Sequence, residues 1–424
     1  MSLLNKANII TTPTAYSVGK LHSVKPENEI YADFDFARNS SATRVGENGL
    51  IQSVAANLPR INYENGIGHF LLEPQRTNLV TYSEQFDNAA WTKTNCTTST
   101  NVATAPDGNT SADKLIMNNG LSPTSADADG IYQERSITSG VYNVSFFVKA
   151  AEFNSVNVRD NAVTGAFLNI NLTTGAVTNP APSQFVGAQS VNYGNGWYRV
   201  SFTTTTIVAT QAFSIRAGQT GDGTSGFLLW GVQYELGAYE TSYIPTLSAA
   251  ATRLAEVCDG SGNASTFNDS EGVLMAQIGA LADDSSLRTI TLGDGSSQNA
   301  VSFRYDNPNQ ITLYLNSGGV NQFSFVANVQ TLSFNKCLIK YKANDFSAWV
   351  NGFEIGTDTS GITFPSNTLD RINFDIGYTS SDPFYGKTKQ LQYFDSALTD
   401  SELETLTSWM SFSDMAIDLN YTIQ

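Results

Sequence analysis

The sequence predicts an all-β protein, two antiparallel β-sandwiches behind an irregular N-terminal segment. Three observations carry this reading. Charged residues are only 15% of the 424 while hydrophobic residues are 41%, so there is material for packed cores, and polar bulk comes from Ser, Thr, Asn and Gly, the residues of strands and turns. Alternating apolar and polar runs recur at short intervals, bounded by Gly, Asn and Asp turns. A helical period emerges only near the C-terminus. The length exceeds one ordinary core, and composition shifts place divisions at 1–70, 71–246, 247–265 and 266–424.

Residues 1–70 show short apolar pairs without a sustained period, cut by Pro13, Gly19 and Pro26. The stretch from Tyr31 to Phe36 alternates as a strand. Asn48-Gly49 is a type I′ hairpin signal, with a return strand over Leu50 to Val54. Alone, such a segment buries little apolar surface, so it is expected to lie on a neighbouring domain, a sister subunit or another protein.

From Leu71 to about Pro245 strand follows strand. In VYNVSFFVKA, Tyr142, Val144, Phe146 and Val148 share one face. In WYRVSFT, Trp197, Arg199 and Ser201 oppose Tyr198, Val200 and Phe202. Turns fall at Thr173-Thr174-Gly175, Asn195-Gly196 and Gly221-Asp222-Gly223. The pattern reads as an antiparallel sandwich, a jelly roll. LSAAATRLAEVCDGSGNAS then reads as a linker, and a second strand series begins near Gly272. There Asn351-Gly352 marks a tight hairpin. Thr399 and Glu402 form the capping box of a helix whose apolar face is Leu403, Leu406 and Met410.

Several of these stretches carry a family resemblance. LLEPQRTNLVTYSEQFDNAAWTKTN, APDGNTSADKL, GNGWYRVSFT and ELGAYETSYIPT resemble marks of a carbohydrate-binding-like sandwich found in bacteriophage tail, fibre and head-appendage proteins. FARNSSATRVGENGLIQSV resembles a stretch upstream of such domains where a fibre meets its anchor; this implies contact with other virion proteins through residues 1–70, against the plainer alternative of an arm capping the next domain. FSAWVNGFEIG and LQYFDSALTDSELETL resemble the laminin-G/concanavalin-like lectin sandwich. Related jelly rolls often hold Ca²⁺ with an acid near the opening strand, here Glu84 or Asp87, and an aspartate in the closing strand. The closing strand here reads LLWGVQ without that aspartate, so no metal and no cofactor are assigned.

Composition excludes several functions. The net charge of −16 with no Lys/Arg cluster argues against nucleic-acid binding and against an anionic membrane surface. No apolar run reaches the length of a membrane span, and MSLLNKANIITTP lacks the pattern of a signal peptide, so synthesis in a cytoplasm is expected. Cys96, Cys258 and Cys337 are widely spaced and read as small buried thiols. With only His22 and His69, a His-rich metal centre or a Ser-His-Asp triad has almost no raw material. No Walker loop, GxSxG, HExxH or repeated β-helix coil is present, so a non-enzyme is expected over a glycan-degrading enzyme.

Saccharides are held by aromatic faces and a few polar groups. Trp91, Tyr132, Tyr193 and Trp197 are therefore the candidate glycan platform, unless these rings fill the core. The resemblance implies a virion fibre or appendage protein, homo-oligomeric and by family habit trimeric. Contact with host-surface polysaccharide and a purely architectural role both remain open.

Overall fold

The computed structural model describes residues 2–422 apart from 27–29, 119–129, 162–165, 207–209 and 380. The chain is nearly all β, as the alternation predicts, and its sheets are antiparallel. It divides into two units. One contains Met1–Ser41, Ala55–Pro74 and Ala255–Gln424; the other contains Ala42–Val54 and Gln75–Leu254.

The second unit is the expected jelly-roll sandwich. One six-stranded sheet runs Cys96–Thr104, Thr110–Met117, Gly226–Leu236, Gly140–Ala150, Trp197–Thr206, Val186–Asn192; the other runs Thr92–Thr94, Gly130–Tyr132, Phe213–Ala217, Ser155–Asp160, Phe167–Asn171, Val177–Thr178. Tyr142, Val144, Phe146 and Val148 meet Val156, Val158, Leu168 and Ile215 in the core between them, joined by Tyr198, Val200 and Phe202. Strand Gly140–Ala150 is nevertheless buried on both faces. Its outward Phe147, with Trp197, Leu228 and Trp230, forms a second apolar cluster with Ile51 and Tyr243. Thus the hairpin Ala42–Val45/Ile51–Val54 works as a cover. Ile51 N–H donates to Pro106 O at 3.0 Å, and Thr43 Oγ1 donates to Tyr243 O at 2.6 Å. Its turn is not the expected type I′: Gly49 has φ 76° while Asn48 is not left-handed, and Gly49 N–H closes on Gly46 O.

The first unit is a sandwich that uses the N-terminal residues throughout. Its large sheet runs Phe353–Asp358, Phe346–Val350, Asn335–Lys342, Glu271–Ala280, Gly386–Phe394, Ile67–Leu71, Arg60–Glu64, and Ile9–Thr11 also pairs with Gly386–Phe394. A five-stranded sheet, Val320–Asn328, Gln310–Ser317, Ala300–Tyr305, Arg288–Gly293, Arg371–Asn373, lies across a shared core from it. Phe34–Ala37 pairs with Val257–Asp259. The sequence-based division therefore differs from the structure: residues 1–70 are no separate segment, and the expected linker holds the strand Val257–Asp259. Local pattern missed this because Ile9–Thr11 and Ile67–Leu71 pair with Gly386–Phe394, and Phe34–Ala37 with Val257–Asp259, partners more than 200 residues away.

A buried ion cluster fixes the same arrangement. Arg38 Nη1 donates to Glu256 Oε1 at 2.7 Å, and Arg60 Nε donates to that oxygen at 2.8 Å. Arg60 also pairs with Glu73 at 2.8 Å, and the Glu73 N–H donates to Glu256 Oε2 at 2.8 Å. These charges are out of water, so each requires its partners.

Candidate functional site

The four rings named from sequence are not brought together. Trp91 is 3% exposed, packs edge-on to Phe86 at 5.1 Å and donates Nε1–H to Tyr82 O at 2.9 Å. Trp197 is 2% exposed, lies in the cluster under the cover hairpin and donates Nε1–H to Thr104 O at 3.0 Å. Tyr193 is half-buried beside it, edge-on to Phe147 at 5.0 Å. Tyr132 is half-buried on the opposite sheet, next to the inward Ile131. Trp91 and Trp197 are core residues, because indole rings of this size are better buried when the N–H finds a carbonyl. A shared platform is ruled out.

The arrangement best suited to a ligand is in the first unit, at the end of the large sheet. It begins with the hairpin Phe346–Val350/Phe353–Asp358. Val350 faces Phe353 across the two-residue loop Asn351-Gly352, and both loop residues are left-handed, φ 53° and 85°, as the type I′ signal requires. A Cβ on Gly352 would lie 2.9 Å from Ser408 Oγ, so the hairpin tip closes against the segment behind helix Asp400–Thr407. Asn351 anchors the tip: its Oδ1 accepts from Lys336 N–H at 2.9 Å, and its Nδ2 donates to Asn335 Oδ1 at 3.0 Å.

The helix starts as the capping pattern predicts, with Thr399 N–H donating to Glu402 Oε2 at 3.1 Å. It buries Leu403. Met410, expected on the same apolar face, is instead 98% exposed, because the helix ends at Thr407 and the chain turns into a second helix, Phe412–Asp418. Ser411 caps that helix, accepting from Asp414 N–H at 3.1 Å.

Between hairpin and helices is a pocket of about 410 Å³, lined by Phe353, Trp409, Phe412 and Met415 with Asn351, Glu404, Ser408 and Ser411. Phe353 and Phe412 are 74% and 64% exposed. Trp409 is held from behind: Nε1–H donates to Asp418 Oδ2 at 2.7 Å, and the Lys336 ammonium sits 5.2 Å from its ring centroid while donating to Ser408 O at 2.7 Å. Burial holds the Lys336 ammonium below the usual lysine range. Glu404 is the one charged residue in the lining. Rings with a rim of hydroxyls and a carboxylate suit an amphipathic ligand without negative charge. The sequence signal was the aromatic pair Trp409 and Phe412 around a helix end; the hairpin ring Phe353, over fifty residues away, carried none.

Elsewhere, Cys96, Cys258 and Cys337 are buried and form no disulfide. Glu84, named for calcium, accepts from Tyr243 Oη–H at 2.9 Å, and burial raises its pKa. Among the described residues no three His, Cys, Asp or Glu side chains gather to hold a metal ion. No helix among them is long and apolar enough to cross a membrane.

Comparison with known proteins adds the following. The family model of the concanavalin A-like lectin/glucanases superfamily matches residues 280–404. No curated protein matches the chain. Among solved structures, the carbohydrate-binding module CBM40 of the Ruminococcus gnavus IT-sialidase, bound to alpha2,3 sialyllactose, is 16% identical over 35% of this chain and 93% of that one, with TM-score 0.30. Domain 4 of AbnA, a GH43 extracellular arabinanase from Geobacillus stearothermophilus in complex with arabinotriose, is 14% identical over 40% and 83%, with TM-score 0.30. Domains LG4-5 of the mouse laminin alpha1 chain are 12% identical over 66% and 92%, with TM-score 0.23. The chain thus carries a lectin-like β-sandwich module, matched over residues 280–404 to the concanavalin A-like superfamily.

Proposed function

We propose that this chain is a structural protein of a bacteriophage particle, a fibre or appendage on the virion surface, whose lectin-like unit contacts host-surface glycans. One observation carries the glycan reading: three rings, Phe353, Trp409 and Phe412, converge with Glu404, Ser408 and Ser411 around an open pocket in that unit. A pyranose places its C–H face on such rings, and its hydroxyls donate to the carboxylate and exchange hydrogen bonds with the serines. With a carboxylate and no cation in the lining, neutral saccharides fit better than acidic ones. Single-site affinity of this kind is weak, near millimolar, and display on a homo-oligomer, a trimer by resemblance, supplies avidity. The phage assignment is supported by the sequence resemblance of the jelly-roll unit.

The exposure of Met410 and Phe412 favours a second reading, in which this patch docks another particle protein and the role is architectural. A glycan array with the full chain separates the two. Neutral-sugar binding lost in F353A and F412A supports the first; silence across an array that includes host polysaccharides overturns it.

A further inference from the structure

The N-terminal hairpin Tyr16–Ser17/Lys20–Leu21 brings together three side chains that no motif connects. Ser17 Oγ lies 2.9 Å from His22 Nε2, and His22 Nδ1 lies 2.7 Å from Asp33 Oδ2. Asp33 is buried, and its other oxygen accepts the Ser23 N–H at 2.7 Å. A carboxylate oxygen only accepts, so Nδ1 carries the proton facing Asp33, and Nε2 of the neutral ring is the acceptor for the Ser17 hydroxyl. Ser17 itself is exposed. The hairpin is pinned at its turn: Gly19, φ 78°, donates its N–H to Asn57 O at 2.7 Å and accepts from Phe36 N–H at 2.9 Å. This is nucleophile, base and orienting acid in sequence, with the nucleophile open to solvent and the acid out of it.

We propose that Ser17, His22 and Asp33 form a hydrolytic triad that cleaves short O-acyl esters, and, if the glycan reading above holds, the acyl esters of surface saccharides. In the first step Ser17 Oγ bonds to the ester carbonyl carbon as its proton passes to His22 Nε2. The C–O bond to the alcohol then breaks, and the alcohol leaves with that proton. In the second step water, deprotonated by the same nitrogen, attacks the acyl-serine; the carboxylic acid departs and Ser17 is restored. Asp33 is the positioning residue. The N–H of Val18, next to the nucleophile and outside the strand ladder, is the adjacent backbone donor for the oxyanion. A single donor gives modest stabilisation, which is why an ester, with its better leaving group, is assigned and an amide is not.

The test treats the full chain with a fluorophosphonate probe, which phosphonylates an activated serine with loss of fluoride, and locates the label by mass spectrometry; p-nitrophenyl acetate hydrolysis is followed in parallel. The expected result is a label on Ser17 and turnover that falls about 10²-fold or more in S17A and H22Q. D33N should lower kcat with KM unchanged. S17A alters one exposed hydroxyl, so its melting curve should match the parent, and it decides the matter if H22Q does not fold. An unlabelled Ser17, or hydrolysis equal in S17A and the parent, overturns the proposal. Since neither probe is a saccharide, silence on the glycan array sinks the glycan reading and leaves this result standing.

Discussion

Removal of residues 1–70 should unfold the lectin-like unit, although the sequence alone presents residues 71–424 as two complete domains. The deleted part supplies Ile9–Thr11, Arg60–Glu64 and all but the last residue of Ile67–Leu71 to the large sheet, and Phe34–Ala37 to the four-stranded sheet completed by Val257–Asp259. Ile9, Leu21, Phe34, Phe36, Ile61 and Phe70 are each at most 5% exposed in that unit's core. At ~1.5–3 kcal/mol for each buried side chain, the loss is roughly 9–18 kcal/mol, an upper estimate because an unfolded chain already buries some of this surface. Glu256 would also remain buried without Arg38 and Arg60, a further cost of about 3–5 kcal/mol. A folded domain has only about 5–15 kcal/mol in total. The assay compares the full chain with 71–424 by denaturant unfolding and limited proteolysis, with Trp349 and Trp409 reporting on this unit. Proteolysis should clear residues beyond about 255 in the shortened chain. A protease-resistant 255–424 region with the parent's unfolding midpoint would refute the reasoning. The point variant E256Q gives a finer version, with an expected loss of about 3–5 kcal/mol.

Two further outcomes follow from individual sites. Burial, with Asp375 and Asp35 nearby, pushes the Asp259 carboxyl up to about 7, so between about pH 4, its unfolded value, and pH 7 the folded state holds the extra proton. Stability should therefore fall as pH rises through that window and level off above it; D259N should flatten the slope and stabilise at pH 8 by at most ~4 kcal/mol, and an unchanged slope in pH-dependent unfolding would contradict the assignment. W91A and W197A should each cost about 3–5 kcal/mol of stability in the jelly-roll unit, read by thermal unfolding; a variant that keeps its stability while losing sugar binding would return that ring to the platform role.

How much was legible in the sequence depended on the range of the physics involved. Alternation in VYNVSFFVKA and WYRVSFT identified strands and the inward faces, since pleat geometry operates over a few residues. Asn351-Gly352 marked a turn, because few residues other than Asn and Gly tolerate two successive left-handed positions; the Asn48-Gly49 signal found a hairpin but not its turn type. Thr399 and Glu402 marked a helix start for the same local reason.

What tertiary structure decided was which faces stay wet and which distant segments complete one another. Trp197 points away from the sandwich core, as its alternation indicates, yet it is dry because the hairpin Ala42–Val54 covers that face, and periodicity carries no information on a second cover. The pocket depends on Phe353 meeting Trp409 and Phe412. The Ser17–His22–Asp33 alignment, with only two histidines in the chain, depends on a hairpin and a neighbouring turn being held in register by strands from elsewhere in the unit. Local sequence determined the strands and turns; burial and side-chain convergence were decided by contacts that local pattern does not specify, from Phe353 with Trp409 to Phe34–Ala37 with Val257–Asp259, since the hydrophobic effect that drives them is non-directional and names no partner in advance.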